Sequence, residues 1–144
     1  MTREKGQKFS EKHGSQAQID PGIQAQIEKK ARNGQVSCAA AFQIAEALGV
    51  SPADVGKNLD LLELKLNKCQ LGLFGYKPDK KAVKPEKPAN RQLEAAVRAA
   101  LVEGKLPCRD AWRIAGRFNV PKMTVSGACE ALGVKIKPCQ LGAF

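Results

Sequence analysis

Shifting the sequence by 70 residues lays Asp20–Phe74 on Asn90–Phe144 without a gap, and 15 of the 55 paired positions are identical. The identities include Gly34/Gly104, Cys38/Cys108, Ala45/Ala115, Val50/Val120 and Val55/Val125, and they end in the shared pattern CQLGxF. Many other pairs exchange like for like, such as Ile27/Val97, Phe42/Trp112 and Leu48/Phe118. A gapless repeat of this length means two copies of one small folding unit. A module of about 50 residues buries little core and is marginal alone, so docking of the copies or dimerisation would help.

The repeat divides the chain into four parts. Residues 1–19 are rich in Lys, Gln, Ser and Gly without a hydrophobic period, which predicts a disordered basic arm. The first repeat occupies 20–75 and the second 91–144. Between them, Tyr76–Asn90 carries three prolines and five lysines and reads as an extended, charged linker that keeps two domains apart or follows a phosphate backbone.

Within each repeat the hydrophobic period is helical. The first helix places Ile23, Ile27 and Ala31, or Leu93, Val97 and Leu101, on one face. Asn33-Gly34 and Glu103-Gly104 then stop it, since glycine accepts the left-handed conformation. A short extended piece at Val36 or Leu106 leads into a second helix. That helix buries Ala41, Ile44, Ala45 and Leu48, or Ala111, Ile114, Ala115 and Phe118. Gly49 and Asn119 supply the left-handed turn after it. Ser51-Pro52 then offers an N-cap and a first-turn proline for a third helix that buries Val55, Leu59 and Leu62, or Val125, Cys129 and Leu132. Leu64-x-Leu66 and Val134-x-Ile136 alternate as short strands do. The expected fold class is mainly α, with two tandem three-helix modules and short β strands.

The net charge of +10 is uneven. The first repeat is nearly neutral, and most of the excess lies in the linker and the second repeat. A basic surplus of this kind points to a polyanionic partner, most often nucleic acid. No apolar run approaches the roughly 18 residues of a membrane span, and the N-terminus is polar. A soluble, cytoplasmic protein without a membrane role is expected, with its five cysteines as thiols.

A helix with a central small residue, a three-residue turn holding Gly or Asn, and a short helix with a buried Val form one constellation. Its residues are Ala45, Gly49, Val50 and Val55, repeated as Ala115, Asn119, Val120 and Val125. Here the chain resembles the helix-turn-helix superfamily of DNA-binding domains, and the strands lean toward its winged-helix branch. The CQLGxF ending departs from that pattern. The resemblance implies a DNA-binding transcriptional regulator, an internal pseudo-dimer on duplex DNA, with RNA or a protein as the other partner classes. It also implies that the third helix enters the major groove. That would turn Ser51, Ala53, Gly56, Lys57 and Asp60, or Lys122, Met123, Ser126, Gly127 and Glu130, outward. The nucleic-acid-binding residues expected are Ser51, Lys57, Asn58, Arg109, Arg113, Arg117, Lys122, Thr124 and Ser126. No arginine for guanine stands in either third helix, and Asn58 is the single candidate for adenine.

Arg109, Arg113 and Arg117 recur every four residues, and at 100° per residue they span about 80° of the face opposite Ala111, Ile114 and Phe118. The matching residues of the first repeat are Ala39, Gln43 and Ala47. Such a stripe suits phosphate contacts, and a solvated charged face is the competing explanation.

The paired cysteines, Cys38/Cys69 and Cys108/Cys139, have three explanations: buried small hydrophobes, a redox pair favoured by helix N-termini, or a metal site. Cys129 replaces Leu59 and reads as core filler. Without a C-x-x-C, and with His13 the lone histidine, neither metal nor cofactor is expected. CQLGxF is expected to fold back so that Leu71 and Phe74, or Leu141 and Phe144, fill the core. No catalytic triad, H-E-x-x-H or phosphate-binding glycine loop is present, so no enzyme is expected. The alternative from another class is a protein-interaction adaptor of two tri-helical domains, or a thiol- or metal-responsive regulator.

Overall fold

The computed structural model describes His13 and residues 17–77, 80–88 and 90–143. Most of the expected disordered arm, and Phe144, lie outside the described residues. Among the described residues the chain is mainly helical, with one short two-stranded parallel sheet. The order is α1 (Pro21–Lys30), β1 (Gln35–Ser37), α2 (Cys38–Leu48), α3 (Pro52–Leu61), β2 (Lys65–Asn67), α4 (Arg91–Ala99), α5 (Cys108–Phe118) and α6 (Lys122–Leu132).

The chain forms two compact units, one of Met1–Cys69 with Leu141–Phe144, the other of Gln70–Gln140. These boundaries differ from those of the repeats. The CQLG segment of the first repeat, from Gln70 onward, belongs to the second unit. The end of the second repeat, from Leu141, belongs to the first.

In the first unit Asp20 caps α1, its side chain accepting from the backbone N–H groups of Gly22 and Ile23 at 2.8 and 3.1 Å. Pro21 follows in the first turn, where a missing N–H costs nothing. Ile23 and Ile27 form the buried face of α1. The helix ends before Asn33-Gly34, and that pair instead makes a two-residue turn with φ of 54° and 75°. Arg32 and Gln35 close the turn by exchanging both backbone hydrogen bonds. Ser37 caps α2, and Gly49 ends it in the left-handed region at φ 65°. Ser51 then caps α3, its Oγ accepting from Asp54 N at 3.1 Å. The crossover through α2 and α3 returns β2 parallel to β1, with Val36 opposite Leu66. Thus β2 is the partner of β1, not the first arm of a wing hairpin.

The second unit repeats this order. Asn90 caps α4, accepting from Leu93 N at 2.7 Å. Glu103-Gly104 makes the same turn. The sheet shrinks to a single parallel bridge between Leu106 and Ile136. Asn119 ends α5 at φ 54°. Ala45 and Ala115 are buried, and small residues there let the third helix of each unit cross closely over the second.

Candidate nucleic-acid interface

On both third helices the face expected to meet DNA is partly covered by the chain itself. In the second unit Leu71 is fully buried, and its carbonyl accepts a 2.6 Å hydrogen bond from Ser126 Oγ on α6. Gly72 then accepts from the backbone N–H groups of Ala82 and Val83. Val83 is buried, Glu86 N donates to Gly127 O at 3.0 Å, and Lys81 pairs with Glu130. The stretch at Leu71–Gly72 and Lys81–Glu86 therefore lies along α6. Its second half was expected to be a free linker, but Val83 is buried, Ala82 and Val83 hydrogen-bond Gly72, and Glu86 N reaches the helix at Gly127 O. Gly127 has no side chain to hold the segment off, since a Cβ there would come within 3.0 Å of Lys84 O.

In the first unit Asn58 Oδ1 accepts from Asp20 N at 2.7 Å, and its Nδ2 donates to Asp54 O at 2.8 Å. Asp60 Oδ2 lies 2.7 Å from His13 Nε2. Gly56 sits so close to Leu141 that a Cβ would overlap its carbonyl. The expectation that Gly56, Asp60, Ser126 and Gly127 face outward is corrected, because all four are buried. Asn58 and Ser126 are buried as well as hydrogen-bonded within the chain, so neither is placed to read a base. The small residues that would admit a DNA groove admit the chain's own backbone.

The remaining expected contacts are more accessible. Ser51 is exposed, while Lys57, Lys122 and Thr124 are half-buried. The Lys122 ammonium stands 4.4 Å from the centroid of the Trp112 ring, a cation–π contact. Arg109, Arg113 and Arg117 on α5 are all exposed. Arg113 lies 3.3 Å from Asp110 Oδ1, and Arg117 packs 5.3 Å from the Phe118 ring centroid. The i, i+3 spacing of Asp110 and Arg113 was visible in the sequence, but the carboxylate's burial was not.

Cys38 and Cys108 open α2 and α5, and both are buried. Cys108 N donates to Pro138 O at 3.1 Å, and Gln140 Nε2 lies 3.5 Å from Cys108 Sγ. Cys69 is buried and Cys139 half-buried. Burial, followed by the neighbouring Glu130 carboxylate, pushes the Cys129 thiol up to about 11. None of the five cysteines is in a disulfide, and no group of three or more His, Cys, Asp or Glu among the described residues is arranged to hold a metal ion. Among the described residues no helix is long and apolar enough to cross a membrane. Comparison with known protein families, with curated proteins and with solved structures finds no match.

Proposed function

We propose that this chain binds nucleic acid, as a regulator built from two helix-turn-helix-like repeats in which the second dominates the phosphate contacts. The observation that carries this is the exposed row of Arg109, Arg113 and Arg117 on α5, in a chain of net charge +10. Exposed guanidinium groups displace condensed counterions from a phosphate backbone. With the third-helix faces partly covered, contact runs through α5 and the helix starts at Ser51 and Lys122 rather than through base readout. Binding is then strong at low salt and weakly dependent on duplex sequence. Fluorescence anisotropy of a random duplex titrated at low and moderate salt tests it. Steep weakening with salt supports the proposal, and no binding at low salt overturns it.

The partly covered third helices favour one second reading, an adaptor that binds protein. A pull-down partner that competes with duplex for α5 separates the two.

A further inference from the structure

Within the second unit, α4 and α5 leave an open groove of about 270 Å³ between them. Ala96, Ala99, Ala100 and Ile114 line it with apolar surface, and Arg113, Arg117 and Asp110 supply its polar groups. The first repeat has different residues at six of these seven positions: Gln26, Lys29, Lys30, Ala40, Gln43 and Ala47. There Lys30 Nζ donates to Gln43 Oε1 at 3.3 Å, so long side chains bridge α1 and α2 where alanines leave α4 and α5 open. Three long residues of the first repeat thus stand where one wall of the groove has alanine, and its Ala, Gln and Ala stand where the other wall has Asp, Arg and Arg.

We propose that this groove holds an unstacked base of a single-stranded nucleic acid, with guanine preferred. This inference rests on the nucleic-acid reading above. The volume lies just under the roughly 300 Å³ at which pockets begin to take whole drug-sized ligands, so it suits a single ring system. An apolar wall of methyl groups accepts the flat face of a base. Asp110 is mostly buried and, as a carboxylate, only accepts hydrogen bonds. Guanine offers two adjacent N–H donors on its pairing edge, which match the two carboxylate oxygens. Those donors are occupied in a duplex and free in a single strand. Arg113 is two-thirds exposed at 66% and lies 3.3 Å from Asp110 Oδ1, so it swings to a flanking phosphate at little cost. Arg117 provides the second phosphate contact.

The test uses the full chain and the double variant Ala99→Lys/Ala100→Lys, which restores the residues of the first repeat. Lysine near a helix C-terminus favours the helix, so the fold is retained. The probes are a short labelled thymine oligomer, the same oligomer with one guanine, and a random duplex. The parent chain should bind the guanine oligomer about tenfold more tightly than the all-thymine one, the worth of one good base contact. In the double variant that preference disappears, while duplex affinity holds or rises because two positive charges were added. Asp110→Asn should also remove the preference. No guanine preference in the parent, or a preference that survives in the lysine variant, overturns the groove while leaving duplex binding intact. Failure to bind any of the three probes overturns the nucleic-acid reading itself.

Discussion

Ser126 Oγ donates to the carbonyl of Leu71 at 2.6 Å, and at the matching position of the other unit Gly56 meets the carbonyl of Leu141. Residues 56 and 126 are equivalent in the repeat, as are 71 and 141. The same leucine carbonyl thus meets the same helical position twice, once through a hydroxyl and once through bare backbone. Ser126→Ala would leave the Leu71 carbonyl without this donor in a fully buried site and should cost about 1–3 kcal/mol. Gly56→Ala should cost more than a usual surface change, because the overlap is with backbone and only a shift of Leu141 relieves it. Urea unfolding followed by circular dichroism measures both, and a neutral Gly56→Ala would show that Leu141 does not lie on α3.

The exchange of CQLG segments gives a crossed signature. Leu71 and Leu141 are both buried, so truncation to alanine should cost about 2–5 kcal/mol in each case. Leu71 lies in the unit that holds α6, and Leu141 in the unit that holds α3. Hydrogen exchange should therefore report faster exchange in α6 for Leu71→Ala and in α3 for Leu141→Ala. Each leucine loosening the third helix of its own repeat instead would refute the exchange. It also follows that cutting the chain at the repeat boundaries, into 20–75 and 88–144, removes Leu141 from one piece and Leu71 with Val83 from the other.

Each helix was legible in the sequence because its signals are local. Ile23 with Ile27 and Leu93 with Val97 mark faces, and Gly49 and Asn119 take the left-handed angles that other residues avoid. The short strand pieces were legible from alternation, but their parallel pairing was not, since a period of two carries no direction. The CQLG exchange was hidden for a sharper reason. Both copies of the segment are identical over CQLG, so nothing in the segment says which third helix receives it. Val83 shows the same limit, for a valine among lysines and prolines reads as solvated, yet it is buried close to Gly72. Of the expected site, the stripe on α5 emerged exposed, because its four-residue spacing keeps it on one face, away from the buried Ala111. Asn58 and Ser126 emerged buried, because periodicity cannot distinguish a face left to solvent from one covered by distant chain.

The arginine stripe gives a measurable slope. Arg113→Ala/Arg117→Ala should weaken duplex binding alike on all sequences and reduce the salt slope by up to about 2. Stability should change little, since Arg113 is mostly exposed in its pair with Asp110. The converse variant, Ala39→Arg/Gln43→Arg/Ala47→Arg, places the stripe on exposed positions of α2 and should steepen the slope. Anisotropy titrations across salt concentrations measure both, and an unchanged slope in the alanine variant would mark the stripe as a solvated face.

Cys129 makes a pH-dependent contribution whose sign follows from its environment. Its thiol is pushed from 9.0 up to about 11, by burial first and by the Glu130 carboxylate second. Between these values the unfolded chain releases the proton while the folded chain keeps it. The unfolded state then binds fewer protons, so stability falls as pH rises from about 9 and continues to fall until about 11. Below 9 both states hold the proton and the contribution is level. Leucine stands at the matching position 59, buried in the first unit, so Cys129→Leu removes the titration while keeping an apolar side chain. Any packing cost of the larger leucine is the same at every pH. Denaturant unfolding of parent and variant should therefore give parallel stability profiles below pH 9, with the parent declining more steeply above it. Profiles that stay parallel through the alkaline range would show that Cys129 ionises as an ordinary thiol and that α6 opens around it.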